Sequence, residues 1–434
     1  MVKCAAHNPL QDPLQGPVQG PVQSPIQTVG VIGGGQLAWM LAKAARSLGI
    51  KLMVQTPQMS DPAVAEADGV ILAAVDDAAA TAQLADRVQV ITFENEFIDQ
   101  AALVPLADRG VCFRPALATL PPLLDKYDQR RCLESLGLPV PRFQALPPSP
   151  AQVLTASGLQ PGAIPLLQAL PQPFPIVLKA RRHGYDGQGT LIIPDAPSLA
   201  TQLHQWSAGA SWQPQPLLEE LIPFERELAV IAARSLSGEV VCFPIVETYQ
   251  AQQVCRWVLA PADLSPDLVT TIETIATRLL NHLQAVGLFG LELFLTRDQQ
   301  VIVNEIAPRT HNSGHFSIDA CHTSQFEQHL RAVCGLPLGN PALKGAGAVM
   351  INLLGYESGA LDQPPLADKY AAIAAQLQQL PNAHLHWYGK TLTRPGRKLG
   401  HVTVELTAPT PAARRQEALG VIQTVTAIWQ PPSA

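Results

Sequence analysis

Charge is scarce in this chain: Asp, Glu, Lys and Arg make up 15% of its 434 residues, and the formal net charge is −6. No basic field marks it for nucleic acid, and no acidic block marks a solvating tail. The seven cysteines, at 4, 112, 132, 242, 255, 321 and 334, are odd in number, scattered and never spaced Cys-x-x-Cys. That pattern speaks against a disulfide framework or a zinc site. No run of about 18 apolar residues is present to span a bilayer, and the N-terminus lacks the charged-then-apolar order of a signal peptide. Together these absences predict a soluble, cytoplasmic protein that acts on small molecules, without nucleic acid or membrane partners. The length suggests about two to four domains.

Proline is abundant where order is least expected. Residues 7–27 repeat a Gln/Gly-Pro-Val/Leu-Gln theme too dense in proline for helix or central strand, so that 1–27 reads as a disordered tail, and 147–175 reads as an irregular insertion rich in Pro, Ala, Gln and Leu. Order begins at Thr28, where Val29–Ile32 reads as a buried strand entering Gly33-Gly34-Gly35 and then a helix. Strands at 51–54, 70–73 and 88–92 alternate with helical stretches, which predicts a small doubly wound α/β domain over 28–117. A helix over 123–136, strands at 176–180, 190–193, 217–221 and 227–233, and a helix at 198–207 build a central domain over 118–334. Residues 335–434 form a smaller α/β unit.

The densest chemistry lies at the end of the central domain. Phe289–Leu295 and the run ending at Ala307 flank a turn-prone Thr296–Gln300, which reads as a hairpin. Folding about Asp298-Gln299 sets Glu292 opposite Glu305, roughly 5 Å apart on one face. Such a pair shares a proton or bridges a cation, and Mg²⁺ held by carboxylates and substrate phosphates suits it. A register slip would leave two acids on a solvated face. Gly33-Gly34-Gly35-Gln36-Leu37-Ala38 matches a dinucleotide pattern, but Gln55 stands where a ribose-binding acid belongs; the turn either receives another anion or permits tight packing. Lys179 on a strand, followed by a loop holding Gly184, Gly187 and Gly189, has the chemistry of a phosphate flap, with a plain glycine-rich hairpin as the alternative. Lys390 and Arg397 come together across a turn as an anion clamp or as ordinary surface cations. His311 and His315 have metal-pair spacing, but Asn312-Ser313-Gly314 disfavours a helix, so both read as substrate-loop residues.

In this order the segments resemble the ATP-grasp ligases, and within them the 5-(carboxyamino)imidazole ribonucleotide synthases. The resemblance rests on Gly35-Gln36-Leu37, Thr92-Phe93-Glu94-Asn95-Glu96, Gly184-Tyr185-Asp186-Gly187, Asn304–His315, Ser324–Glu327, His386-Trp387-Tyr388 and Arg394–Lys398. It implies an ATP-grasp fold with a pre-ATP-grasp domain before it and a small C-terminal domain after it. The implied reaction is carboxylation of 5-aminoimidazole ribonucleotide by bicarbonate through carboxyphosphate, with ATP consumed. Related readings are a formate-dependent glycinamide ribonucleotide transformylase and a nucleotide-binding regulatory relative without turnover.

Carried residue by residue, the resemblance puts Arg114, Lys179 and the flap Gly184, Tyr185, Asp186, Gly187, Gln188, Gly189 on ATP phosphates. It puts Glu219, Glu220, Leu221 and Ile222 on adenine, Glu227 on ribose, and Gln250 where relatives carry an ATP-reaching histidine. Glu292 and Glu305, with Asn304, hold Mg²⁺, with Mn²⁺ as substitute. Gln36, Leu37, Glu94, Tyr185, Asp186, His311, Asn312 and Ser313 surround the imidazole ribonucleotide, Lys390 and Arg397 its phosphate, and Arg309 the bicarbonate-derived group. Tyr185, Asp186, Arg309 and His311 are the catalytic candidates. Gln188 in place of a basic residue, and Gln250 in place of histidine, imply weaker nucleotide or substrate binding. The resemblance also implies a homodimer and raises product hand-off to carboxyaminoimidazole ribonucleotide mutase.

Overall fold

A computed structural model describes residues 26–147, 153–155, 158–159, 174–182, 189–207, 216–364 and 366–430. The first unit is a four-stranded parallel sheet in the order Gly69–Leu72, Lys51–Thr56, Thr28–Ile32, Val90–Phe93. Helix Gln36–Ser47 follows the first strand and buries Ala38, Met40, Leu41 and Ala45. These share one core with Phe326, Leu330 and Val333 of helix Gln325–Cys334, so the first unit is packed onto the end of the central one. Gln55, the residue replacing an acid, is fully buried. Its amide donates to Ala74 O (2.7 Å) and Asp77 O (3.1 Å) and accepts from Thr81 Oγ1 (2.8 Å), so it braces a loop.

The predicted helix over 123–136 is two helices, Pro121–Leu124 and Lys126–Ser135. Asp125 breaks them because its extended backbone lets its carboxylate accept from the N–H groups of Tyr127 and Asp128, an N-cap that satisfies donors the helix leaves open. A four-stranded antiparallel sheet follows, in the order Phe143–Ala145, Leu217–Glu220, Ile176–Lys179, Thr190–Ile193. The insertion over 147–175 falls mostly outside the described residues, as do the tail to residue 25 and Gly184 to Gln188 of the flap.

A nine-stranded antiparallel sheet carries the rest. Its path runs Val301–Ala307, Gly287–Thr296, Phe224–Arg234, Val246–Ala251, Val254–Ala260, Gly347–Leu354, Lys398–Leu406, Ala383–Trp387, with Val240–Cys242 attached to Phe224–Arg234. The C-terminal strands therefore extend the central sheet through the pairing of Val258 with Met350, and helices Leu366–Gln378 and Pro411–Trp429 share the core of that extension. Cys132, Cys242, Cys255, Cys321 and Cys334 are free. Among the described residues no helix is long and apolar enough to cross a membrane.

Helix Lys126–Ser135 is fastened to the hairpin by Gln129, whose amide donates to Ile306 O (3.0 Å) and accepts from Ile306 N–H (3.0 Å). Gln129 is 2% exposed, so water does not replace it. Each buried polar group left unpaired costs about 1–3 kcal/mol. Gln129→Leu should therefore lower the unfolding free energy by at least about 2 kcal/mol in urea titration; an unchanged midpoint would show that this strand edge finds other partners.

Candidate active site

The hairpin reaches the expected juxtaposition by an unexpected path. Near the turn the pairs are Leu295 with Val301 and Leu293 with Val303, a register centred on Asp298; a bulge then leaves Asn304 unpaired and sets Glu292 opposite Glu305. A bulge re-aims side chains, and Asn304 accepts from Lys179 Nζ (3.3 Å). On the other side of Gly287–Thr296, Glu227 pairs with Phe294 and Ala229 with Glu292. Glu227 therefore shares the face of the two acids. Its carboxylate accepts from Gln250 N–H, and burial pushes its carboxyl up to about 7.

Glu292 is pushed up to about 7 by burial, then by Glu305 and Glu227. Burial is the largest single influence on Glu305 too, but Lys126, joined by Lys179 and Arg130, holds the carboxyl below the usual range. Of the two, Glu292 holds a proton the more readily. His311 Nε2 lies 3.4 Å from Glu292 Oε1, and its Nδ1 faces Ser313 N–H (3.4 Å) and Ser313 Oγ (2.8 Å). Accepting the Ser313 N–H at Nδ1 leaves the ring proton on Nε2, pointed at the carboxyl.

The cations arrive from two elements. Lys126 and Arg130 sit one turn apart on helix Lys126–Ser135, and Lys179 ends strand Ile176–Lys179. Lys126 Nζ is 2.6 Å from Glu305 Oε1. Arg130 Nε and Lys179 Nζ each lie 2.7 Å from a different oxygen of Glu219. Glu219 is 1% exposed; burial opposes its charge, but the two cations hold its carboxyl down to about 2. Lys179 is pushed down by burial, with Glu219 opposing and Arg130 and Lys126 adding to the effect. One carboxylate serving two cations leaves an excess of buried positive charge, and that excess suits a phosphate. Above it, Arg181 and Arg182 reach Asp125 (2.8 and 3.4 Å), and Ala180 N–H donates to Gly189 O (2.7 Å), closing the base of the flap loop.

A second cluster gathers residues from both ends of the chain. Lys390 Nζ donates to Gln36 Oε1 (2.6 Å) and to Lys398 O (2.7 Å), the residue that follows Arg397. Asn312 and Asn352 exchange amide hydrogen bonds (2.9 and 2.8 Å). Glu94, expected on substrate, is 7% exposed; it accepts from Gly35 N–H (2.6 Å), Leu37 N–H (3.0 Å) and Ala38 N–H (3.3 Å). The anion received by the glycine turn is therefore the protein's own carboxylate, and glycines at 33 and 35 leave it room. Burial still pushes the Glu94 carboxyl up against those bonds.

Several expected residues stand elsewhere. Arg114 donates to Val333 O at the end of helix Gln325–Cys334, and no contact among the described residues joins it to the paired acids. Glu219 spends its carboxylate on Arg130 and Lys179, and Glu220 accepts from Arg142 N–H (2.9 Å). Leu221 and Ile222 lie between strands Leu217–Glu220 and Phe224–Arg234. His315 is fully buried, with Nδ1 against Gln325 Nε2 (2.9 Å), so it belongs to the core and not to a substrate loop. Lys126 and Arg130 escaped the sequence reading. Their signal was an acid-lysine start followed one turn later by arginine, which puts two cations on one helix face.

Three family profiles match the chain: the ribonucleotide synthetase pre-ATP-grasp domain over residues 26–121, the ATP-grasp domain over 131–326, and the phosphoribosylaminoimidazole carboxylase C-terminal domain over 348–415. An N5-carboxyaminoimidazole ribonucleotide synthase of Synechococcus elongatus is 52% identical, the match covering 93% of this chain and 96% of the relative. The chain belongs to the N5-carboxyaminoimidazole ribonucleotide synthase family. A Synechocystis member is 50% identical across 93% of this chain and 98% of its own length. Among solved structures, the Aspergillus clavatus synthase in complex with ADP and 5-aminoimidazole ribonucleotide is 30% identical, has a TM-score of 0.78, and matches 93% of this chain and 98% of that one. The synthase fold thus extends from the parallel sheet through the extended C-terminal sheet.

Two outcomes follow from the charge arrangement. Removing one partner of a buried ion pair costs about 3–5 kcal/mol, so Arg130→Met should destabilise the protein by that amount in chemical unfolding. The second concerns pH. A carboxyl raised from 4.5 to about 7, as in Glu292, contributes stability that is complete below pH 4.5 and lost as pH rises through about 7. Glu227 has the same sign and window. The thermal midpoint should fall between about pH 5 and about pH 8, and less steeply in Glu292→Gln; an equal slope would place the proton elsewhere.

Proposed function

We propose that this protein is a carbon–nitrogen ligase that carboxylates 5-aminoimidazole ribonucleotide with bicarbonate and ATP, giving 5-(carboxyamino)imidazole ribonucleotide, ADP and phosphate, a step of purine biosynthesis. The observation that carries this reading is the hairpin face where Glu292 and Glu305 are opposed, with Lys126 and Lys179 against its edge.

In this reading Lys126 and Lys179 bind ATP phosphates and Glu227 the ribose. Glu292, Glu305 and Asn304 hold Mg²⁺, or Mn²⁺ in its place. Two carboxylates and an amide oxygen are hard donors, and Mg²⁺ needs few protein ligands when phosphates complete its shell; accordingly, no group of three or more His, Cys, Asp or Glu side chains stands ready for a metal among the described residues. The metal, when bound, neutralises phosphate charge. Bicarbonate oxygen attacks the γ-phosphorus, ADP leaves, and the resulting carboxyphosphate releases phosphate as its carbon passes to the exocyclic amine. Arg309 holds the bicarbonate-derived group, and Lys390, Arg397 and Gln36 hold the ribonucleotide. Exclusion of water by the flap, with Tyr185 and Asp186, keeps the intermediate from hydrolysis. A homodimer and hand-off of product to the mutase belong to the same reading.

ADP release by purified protein should require both ribonucleotide and bicarbonate. Removing partners beyond a metal's own ligands typically costs about 10–100-fold, so Glu305→Gln, which removes a ligand itself, should lose at least about 100-fold. ATP turnover indifferent to the ribonucleotide would leave the nucleotide site standing and remove the substrate. Lys390→Met should raise KM for the ribonucleotide about 10–100-fold, the worth of a charge-assisted hydrogen bond, while KM for ATP stays level.

A further inference from the structure

Arg309 follows Pro308 directly beyond strand Val301–Ala307, and its guanidinium is held along two edges. Nε lies 2.9 Å from Glu96 Oε1, and Nη1 donates to Thr310 O (3.1 Å). Nη2 has no hydrogen-bond or ion-pair partner among the described residues, and it is not among the enclosed atoms, whereas Nε is. Behind the pair, Phe93, Ile98, Leu120 and Leu124 wall off a cavity of about 10 Å³.

Burial works against the charge of Arg309, yet Glu96 first, then Glu305 and Glu94, hold the guanidinium above its usual value. Glu94 is committed to the helix N-terminus, so the acid next able to draw Arg309 is Glu305 on the paired-acid face. We propose that Glu96 is a positioning residue for the carboxylation step: it anchors Arg309 away from Glu305 and leaves the Nη2 edge turned to the group derived from bicarbonate. This rests on the function proposed above, in which Arg309 receives that group.

The test compares the unaltered protein with Glu96→Gln and Glu96→Asp, measuring KM for bicarbonate and for ATP, the ratio of ADP to carboxylated product, and the thermal midpoint. Glu96→Gln should raise KM for bicarbonate about 10-fold and release ADP in excess of product, with KM for ATP within about twofold. Glu96→Asp keeps the charge on a shorter arm and should recover part of the loss; it carries the test alone where Glu96→Gln does not fold. An unchanged bicarbonate KM and coupling ratio in an active variant would overturn the proposal. So would a rise in KM for ATP in step with a fallen midpoint, which is what a merely structural acid would give. Unaltered protein whose ADP release ignores bicarbonate and ribonucleotide would overturn the proposed function itself, an outcome read before any variant is compared.

Discussion

The buried carboxylate of Glu219 is the contact on which the rest of the site depends. Held by Arg130 from a helix and by Lys179 from a neighbouring strand, it ties together two segments far apart in sequence inside a layer that water does not reach. Opposed buried charges repay their desolvation only when geometry is good and every partner is present. That condition explains the surrounding detail. Asp125 caps the helix that delivers Arg130 and also receives Arg181, and Gln129 locks the same helix to the strand that carries Asn304 and Glu305.

From this frame the charge of the site follows. Lys179 is shared between Glu219 and Asn304, and Lys126 leans on Glu305, so each cation already touches the wall that would face phosphate. The opposed acids cannot both ionise cheaply at that separation without a cation between them. Lys126 supplies part of the compensation at Glu305, and a proton supplies it at Glu292.

How much of this was legible in the sequence depended on the range of the interaction. The hairpin was legible because a turn-prone segment between two apolar runs sets register locally, and Glu292 opposite Glu305 followed. The route was not: near the turn the pairing is shifted by one residue from the expected register, and the bulge at Asn304 makes up the difference. Bulges depend on what the strand must face, here Lys179, which no local pattern encodes. The parallel sheet was legible for the same local reasons. The Glu94 cap on the glycine turn was not, because the acid lies on the fourth strand and the turn follows the first. Gln55 was seen to be unsuited to ribose, and the structure supplies the reason in the loop it braces. The junction between the central and C-terminal parts was least legible, since a pairing between Val254–Ala260 and Gly347–Leu354 leaves no mark on either strand's own pattern.

The same long-range logic bears on how the two halves of the site communicate. Gln36 starts the helix that Glu94 caps, and its amide reaches Lys390, 354 residues further on. Arg309 is held by Glu96, two residues from that cap. The short segment Glu94-Asn95-Glu96 therefore anchors the substrate-side helix with one acid and the hairpin's arginine with the other. Strand Val90–Phe93 ends just before it, and the chain bends through residues 94–96. A single backbone placement thereby sets the distance between the ribonucleotide cluster and the arginine beside the paired acids, and any shift of the first unit against the central sheet would move both ends of that distance together.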